Sequence, residues 1–309
     1  MFFCGANFLI FLYNITMSIN HSTPANLGNK LKLGFFLNTG FTIFEFAVGI
    51  FSGSLALISD AGHNLTDSLS ILIAFFAQKI ASREANLDHS YGYGRATILA
   101  ALLNGLILVL LAFYIFYEAW RRIMQPEVIQ GNLVMAVAFV GILINGGIAL
   151  LFRGSRADLN IKGAYINMFY DALASVGALL AGFLIVVTKL SLFDSLISIL
   201  IGILLLKSSW SVVSEAIHVL LDGIPEGIDS AKVKTTILNM PKIKNVDDLH
   251  IWAISSHLSA LSCHIVIEDC NLEESTRIVK QVKEKLSNMF NIEHATIETE
   301  LTECPPENN

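Results

Sequence analysis

Two pairs of polar residues interrupt apolar sequence at the same spacing. His63 stands four residues before Asp67, and Asn167 four before Asp171. On an α-helix that spacing stacks two side chains on one face, one turn apart. One imidazole, two carboxylates and one amide oxygen make a four-donor set for a divalent cation such as zinc, which accepts N and O ligands at ~2.0–2.2 Å. The imidazole and the carboxylates also bind protons, so the set can exchange metal for H⁺. A charge in hydrocarbon costs on the order of 2.5–3.5 kcal/mol even on the mildest scale. Carboxylates at membrane depth therefore need a reason. The plainer reading is that polar residues in spanning helices only bind neighbouring helices. A single pair leaves that reading open, and two matched pairs weigh against it. Asn38, Glu45, Asp60, Asn64 and Asn104 are read as helix-to-helix hydrogen bonders or as walls of a wet cavity.

The elements that must position these pairs are legible in the composition. Of 309 residues 54% are hydrophobic and only 15% charged, against about a quarter charged in a soluble protein. The apolar residues gather in six runs of spanning length, each about 20 residues. They fall near Leu33–Phe51, Ala56–Ile80, Thr97–Trp120, Leu133–Phe152, Ala164–Val187 and Leu192–Trp210. With the N-terminus inside, the inner flanks carry Lys30, Lys32, Lys79, Arg83, Arg95, Arg153, Arg156, Lys162 and Lys207, and the outer flanks only Arg121, Arg122 and Lys189. That asymmetry obeys the positive-inside rule and puts both termini in the cytosol.

Charge thickens after Ile224, which marks a soluble tail. Its pattern reads helix over Gly227–Met240, strands over Val246–Ile254 and Leu261–Glu268, an amphipathic helix over Leu272–Met289, and a strand over Ile292–Leu301. The order αββαβ suits a split ferredoxin-like sheet. The fold class is thus an α-helical polytopic membrane protein with six transmembrane helices and a cytosolic α+β ferredoxin-like domain. The divisions are 1–29, a cytosolic or interfacial segment; 30–222, the membrane domain; and 223–309, the tail. Strand alternation puts Leu261, Cys263, Ile265 and Ile267 on one face and Ser262, His264 and Glu268 on the other. It likewise separates Ala295, Ile297 and Leu301 from His294, Glu298 and Glu300. His264 and the glutamates can converge on one side, joined by Asp247 and His250. That face is either a cytosolic metal site or simply solvated. Nothing in the spacing fixes a role for His257 or Cys304.

Net charge is −6, so no basic surface argues for nucleic acid. Cys4, Cys263, Cys270 and Cys304 form no CxxC pair; three lie in the tail, which fits a reducing cytosol. The apolar stretch Phe2–Tyr13 is too short to span and lacks the marks of a signal peptide. It is an interfacial segment or an extension before a start at Met17. No HExxH motif supports an intramembrane metalloprotease.

From about Leu33 to Leu301 the sequence resembles the cation diffusion facilitator family. The resemblance rests on SGSLALISDAGHNLTDSLS, the HSYGYGR link before the third span, IKGAYINMFYDALASVG on the fifth, and DDLHIWAISSHLSALSCHIVIE in the tail. It implies a homodimeric, proton-coupled efflux transporter of divalent cations in the cell (inner) membrane, a secondary active antiporter and not an enzyme. Its partners would be metal ions, protons and the lipid bilayer. It implies transport ligands at His63, Asp67 and Asp171, with Asn167 where zinc members usually carry His, and cytosolic ligands at positions matching Asp247, His264 and Glu300. An amide is a harder donor that takes up no proton near neutral pH, so Asn167 shifts preference towards harder ions. Zinc remains first, with cobalt, cadmium, iron and manganese beside it; zinc is also the ion expected to regulate through the tail. In the link, Asp88 and His89 stand as in relatives that bind metal there, but Tyr93 replaces a His, which favours a solvated loop. The alternative is a metal-sensing or partner subunit that does not itself transport.

Overall fold

The computed structural model describes residues 25–152, 159–255, 258–269 and 271–301. The 2–13 stretch, Met17, Cys4, Arg153, Arg156, His257, Cys270 and Cys304 lie outside the described residues.

Among the described residues six long helices come first: α1 (Ala25–Ser52), α2 (Leu55–Ala81), α3 (Ala96–Met124), α4 (Gly131–Phe152), α5 (Leu159–Thr188) and α6 (Leu192–Leu220). Four of them, α3 to α6, are both long and apolar enough to cross a membrane. In α1 the apolar part is the shorter Phe36–Ser52. In α2 the apolar run is interrupted by Asp60, His63 and Asp67. Three helices outrun the apolar sequence that announces them. α1 and α5 begin earlier, and α6 continues through Ser211–Leu220. Polar residues past the hydrocarbon boundary stay helical because the i to i−4 ladder needs no apolar side chain.

The chain divides into two compact units, one of residues up to Ala77 with Ala100–Ser214, the other of Gln78–Leu99 with the residues from Glu215 onward. In the first unit, small residues let helices close. A Cβ on Gly182 of α5 would meet the Gly131 carbonyl of α4 at 3.0 Å and Met135 Cγ at 2.8 Å. Backbone contact of this kind replaces hydrophobic drive where lipid is as apolar as the helix. The α1–α2 turn is built on Gly53, whose φ of +72° suits a residue without Cβ. Ser54 then caps α2, its Oγ accepting the Leu57 N–H at 3.2 Å. Asp194, at the start of α6 and fully buried, accepts the Ser54 hydroxyl at 2.5 Å and the Leu55 N–H at 2.6 Å. Its charge sits at the positive end of the α2 dipole. At the same turn Arg122 donates to the Gly53 carbonyl, while Glu118 accepts Arg121 at 2.6 Å and Arg122 at 2.9 Å.

The second unit holds α7 (Ser230–Leu238), β1 (Ile243–Ala253), β2 (Ser259–Ile267), α8 (Leu272–Phe290) and β3 (Ile292–Glu300). The order αββαβ is the one the pattern gives. β1 pairs antiparallel with β2, and β2 parallel with β3, so α8 is the crossover. Val233 and Ile237 of α7, with Ile278, Val282 and Leu286 of α8, pack on Val246, Ile251, Leu261, Cys263, Ile265 and Ile267. Leu301, read as part of this apolar face, is 61% exposed because the strand ends at Glu300, before it. Asp229 caps α7 by accepting from Ala231 and Lys232, which holds its carboxyl below the usual range, the Lys232 N–H contributing most. Asn271 caps α8.

Removing the Asp194 carboxylate leaves buried donors at the start of α2 unpaired, at ~1–3 kcal/mol. Asp194→Ala is expected to lower the thermal midpoint of the full-length protein in detergent clearly, and Asp194→Asn, which keeps an acceptor, to lower it less. Unchanged midpoints would contradict the cap.

Candidate metal centres

In the membrane unit the two sequence pairs sit as their spacing requires. His63 Nε2 lies 3.7 Å from Asp67 Oδ2, one turn along α2. On α5, Asn167 Nδ2 donates to Asp171 Oδ2 at 3.4 Å, and both residues are buried. His63 Nδ1 is buried with no hydrogen-bond partner among the described residues. Asp171 is within electrostatic reach of Asp67 and Asp60. The pairs are not drawn into one coordination sphere, and among the described residues no three His, Cys, Asp or Glu side chains gather closely enough to enclose a metal ion.

Around the pairs lies a polar interior that helix-to-helix bonding does not satisfy. Glu45 of α1 is fully buried with neither carboxylate oxygen hydrogen-bonded among the described residues, and it feels the charges of Asp60 and Asp171. Asp60 Oδ2, both amide atoms of Asn64, Asn38 Oδ1 and Asn104 Oδ1 are likewise without partners among the described residues. None of these atoms makes a helix-to-helix hydrogen bond among the described residues. Asn145 of α4, which the sequence reading does not single out, is fully buried with both amide atoms unpartnered among the described residues.

In the tail, His264 of β2 is the hub. Its Nδ1 lies 2.9 Å from Glu300 Oε1, and its Nε2 lies 3.7 Å from Glu298 Oε2 and 3.9 Å from Asp248 Oδ2. Asp248 also reaches His250 Nε2 at 2.7 Å. Asp247 is the Cα partner of His264 across the sheet, but its carboxylate takes the Asn245 amide at 3.0 Å. A register shift between Asp247 and His250, with Asp248 at φ +48°, brings the Asp248 side chain towards His264. Strict alternation cannot foresee that bulge. Cys263 points the other way into the core, where burial above all, and then the charge of Asp248, pushes its thiol up to about 11.

The link between α2 and α3 brings no metal ligands together. The Asn86 side chain accepts the N–H groups of Asp88 and His89, and His89 stacks on Tyr93 with centroids 4.3 Å apart. Nor is it only a solvated loop. Tyr91 packs edge-on against Trp252 and His294, and Arg95 pairs with Asp222. Gly94 runs so close to Ile254 and Ser255 that a Cβ would meet the Ile254 carbonyl at 2.9 Å.

Residues 31–221 match the cation efflux transmembrane domain, and 225–301 match the cation efflux protein cytoplasmic domain. The chain belongs to the cation efflux family. A relative described as a cadmium, cobalt and zinc/H(+)-K(+) antiporter of Bacillus subtilis is 39% identical over 288 residues, 92% of each chain. The metal cation efflux system protein CzcD of Cupriavidus metallidurans is 38% identical, covering 92% of this chain and 90% of its own. The zinc transporter ZitB of Pectobacterium atrosepticum is 35% identical, covering 93% and 90%. The resemblance to cation diffusion facilitators read from the motifs is therefore a family membership.

The Cys263 thiol supplies a pH test. Its folded pKa of about 11 lies above the ordinary 9.0, so its contribution is present in full below pH 9 and is lost as pH rises towards 11. Cys263→Val should make the midpoint of tail unfolding in the full-length cation efflux protein less sensitive to alkali over that window than wild type. Identical alkaline slopes in hydrogen-exchange or thermal measurements would mean that the thiol is not buried as described.

Proposed function

We propose that this cation efflux protein exports divalent metal ions, zinc first and cobalt, cadmium, iron or manganese beside it, in exchange for protons. The observation that carries the reading is the matched geometry of the two i, i+4 pairs on α2 and α5, with the Asp67 and Asp171 charges in reach of one another. The transport ligands are His63, Asp67, Asn167 and Asp171. Two carboxylates balance the charge of a dication, and the imidazole with the amide completes its shell. Loading draws the pairs together and releases protons from the same groups; the return step takes protons up. The work is that of a secondary antiporter and not of an enzyme.

The same reading takes all six long helices as spans, with α1 and α2 crossing beside the four apolar ones. The termini face the cytosol across the cell's inner membrane. The tail is a ferredoxin-like dimerisation domain, and the protein works as a homodimer. The open face of the tail holds a regulatory metal through His264 and Glu300 with a β1 carboxylate, Asp247 or its neighbour Asp248. Glu300 Oε1 lies 2.9 Å from His264 Nδ1, and Glu298 Oε2 and Asp248 Oδ2 lie 3.7 and 3.9 Å from its Nε2, N and O donors of the kinds zinc accepts that would have to close further around an ion. A partner or sensor role without transport is the second reading. It is favoured by Asn167, which presents an amide N–H to Asp171 where a ligating group is expected.

Asp67→Ala and Asp171→Ala each remove a charge that balances the ion, and breaking a buried charge pair costs ~3–5 kcal/mol. Each should cut zinc uptake into inside-out vesicles more than about a hundredfold while insertion is unchanged. Flux preserved in either variant would remove that residue from the site, and a wild type with no flux of any ion would leave the sensor role.

Asn167→His adds a second nitrogen and a second titrating imidazole. Initial uptake of zinc, cobalt, cadmium and manganese at a fixed proton gradient should narrow towards zinc and become steeper in pH between about 6 and 8. Identical ion profiles in the two proteins would mean that Asn167 does not touch the ion.

A further inference from the structure

A groove of about 440 Å³ opens between α3 and α6, lined by Val109, Phe113, Ile203, Leu206, Lys207 and Trp210. Close packing beneath it sets its depth. A Cβ on Gly202 would meet the Phe116 ring at 2.8 Å, and one on Gly105 would meet Val213 Cγ2 at 2.7 Å. The helices touch there, and the larger side chains stand out on either side. Phe113, Ile203 and Trp210 are all more than half exposed. The lining is apolar except for the Lys207 ammonium and the Trp210 indole N–H.

Lys207 is the feature that asks for an occupant. It lies on a helix long and apolar enough to span, faces out of the bundle, and has no ion pair among the described residues. From Leu192 it lies about 22 Å along the axis, within about 8 Å of the far side of a ~30 Å hydrocarbon core. Trp210, one turn on, stands where indoles mark the interface. From this depth the lysine stem can lie along the groove while its ammonium reaches the phosphate level. An unpaired cation there, above an apolar trough of acyl-chain character, is complementary to one class of molecule.

We propose that the α3–α6 groove is a binding site for an anionic phospholipid, its phosphate on Lys207 and Trp210 and one acyl chain along Val109, Phe113, Ile203 and Leu206. A second copy of the chain is a poorer occupant. Two-fold pairing through this groove would press two Lys207 ammonium groups together with no acid in the lining to separate them. The site is independent of the His63–Asp67 and Asn167–Asp171 pairs, so it stands or falls apart from the transport reading.

The test uses full-length protein, delipidated in detergent and titrated with dioleoyl phosphatidylglycerol or dioleoyl phosphatidylcholine under native mass spectrometry. Wild type should retain phosphatidylglycerol in preference. Lys207→Gln should weaken it about fivefold, the usual worth of one basic residue at an anionic surface, and Lys207→Arg should restore it. Ile203→Trp, which fills the trough, should weaken both lipids. Equal retention of the two lipids by wild type, or a preference untouched by Lys207→Gln, overturns the proposal. So does disulfide cross-linking between two copies through Val109→Cys and Ile203→Cys, in a chain otherwise free of cysteine and held in phosphatidylglycerol membranes, because it would put a second chain in the groove.

Discussion

A charge taken out of water has to be answered within a few ångströms, and that constraint orders the membrane unit. At the α1–α2 turn every charge is answered. Glu118 is held by Arg121 and Arg122, Arg121 also by Glu127, and Asp194 by the hydroxyl and N–H groups at the start of α2. Deeper in the unit the pattern reverses. Glu45, Asp60 and Asn64 keep polar atoms with no hydrogen-bond partner among the described residues. Native interiors rarely tolerate this without water or ions. The unit is thus saturated at one end and unsaturated in the middle, and the middle is where the His63–Asp67 and Asn167–Asp171 pairs lie.

How much of this is legible from sequence depends on whether a residue announces itself through its neighbours in the chain. The i, i+4 pairs do, because helix geometry fixes their relation without tertiary information. The αββαβ order of the tail does, because β-branched alternation and an amphipathic run are local signals. The last ten residues of α6 do not. Hydropathy falls after Trp210 although the backbone ladder continues. Asp248 also escapes, since a positive φ and a register shift turn it towards His264 in place of its predecessor. The packing of Tyr91 on Trp252 and His294 is beyond any local pattern, because its partners are distant in the sequence.

The tail shows how one sheet serves two chemistries. The face under α7 and α8 is dry, and there a cysteine behaves as a small hydrophobe with its proton held. The opposite face carries His264 among three carboxylates. Adjacent residues on β2, Cys263 and His264, point into these two environments, so a potential sulfur ligand is kept from a nitrogen ligand only by the pleat of the strand.

The glycine contact between α4 and α5 has a mechanical meaning. Where Gly182 faces the Gly131 carbonyl there is no room for a Cβ, so any larger residue at that position would push the two helices apart. α2 is fastened through its first turn to the start of α6. The Asn167–Asp171 pair therefore rides on a closely packed helix pair, and the His63–Asp67 pair on a helix whose first residues, Ala56 and Leu57, also pack on Val134, Val137 and Ala138 of α4 and Ala178 of α5. The start of α2 is thus the common anchorage of α4, α5 and α6, and a change in the distance between the pairs is a tilt or bend of α2 away from that end.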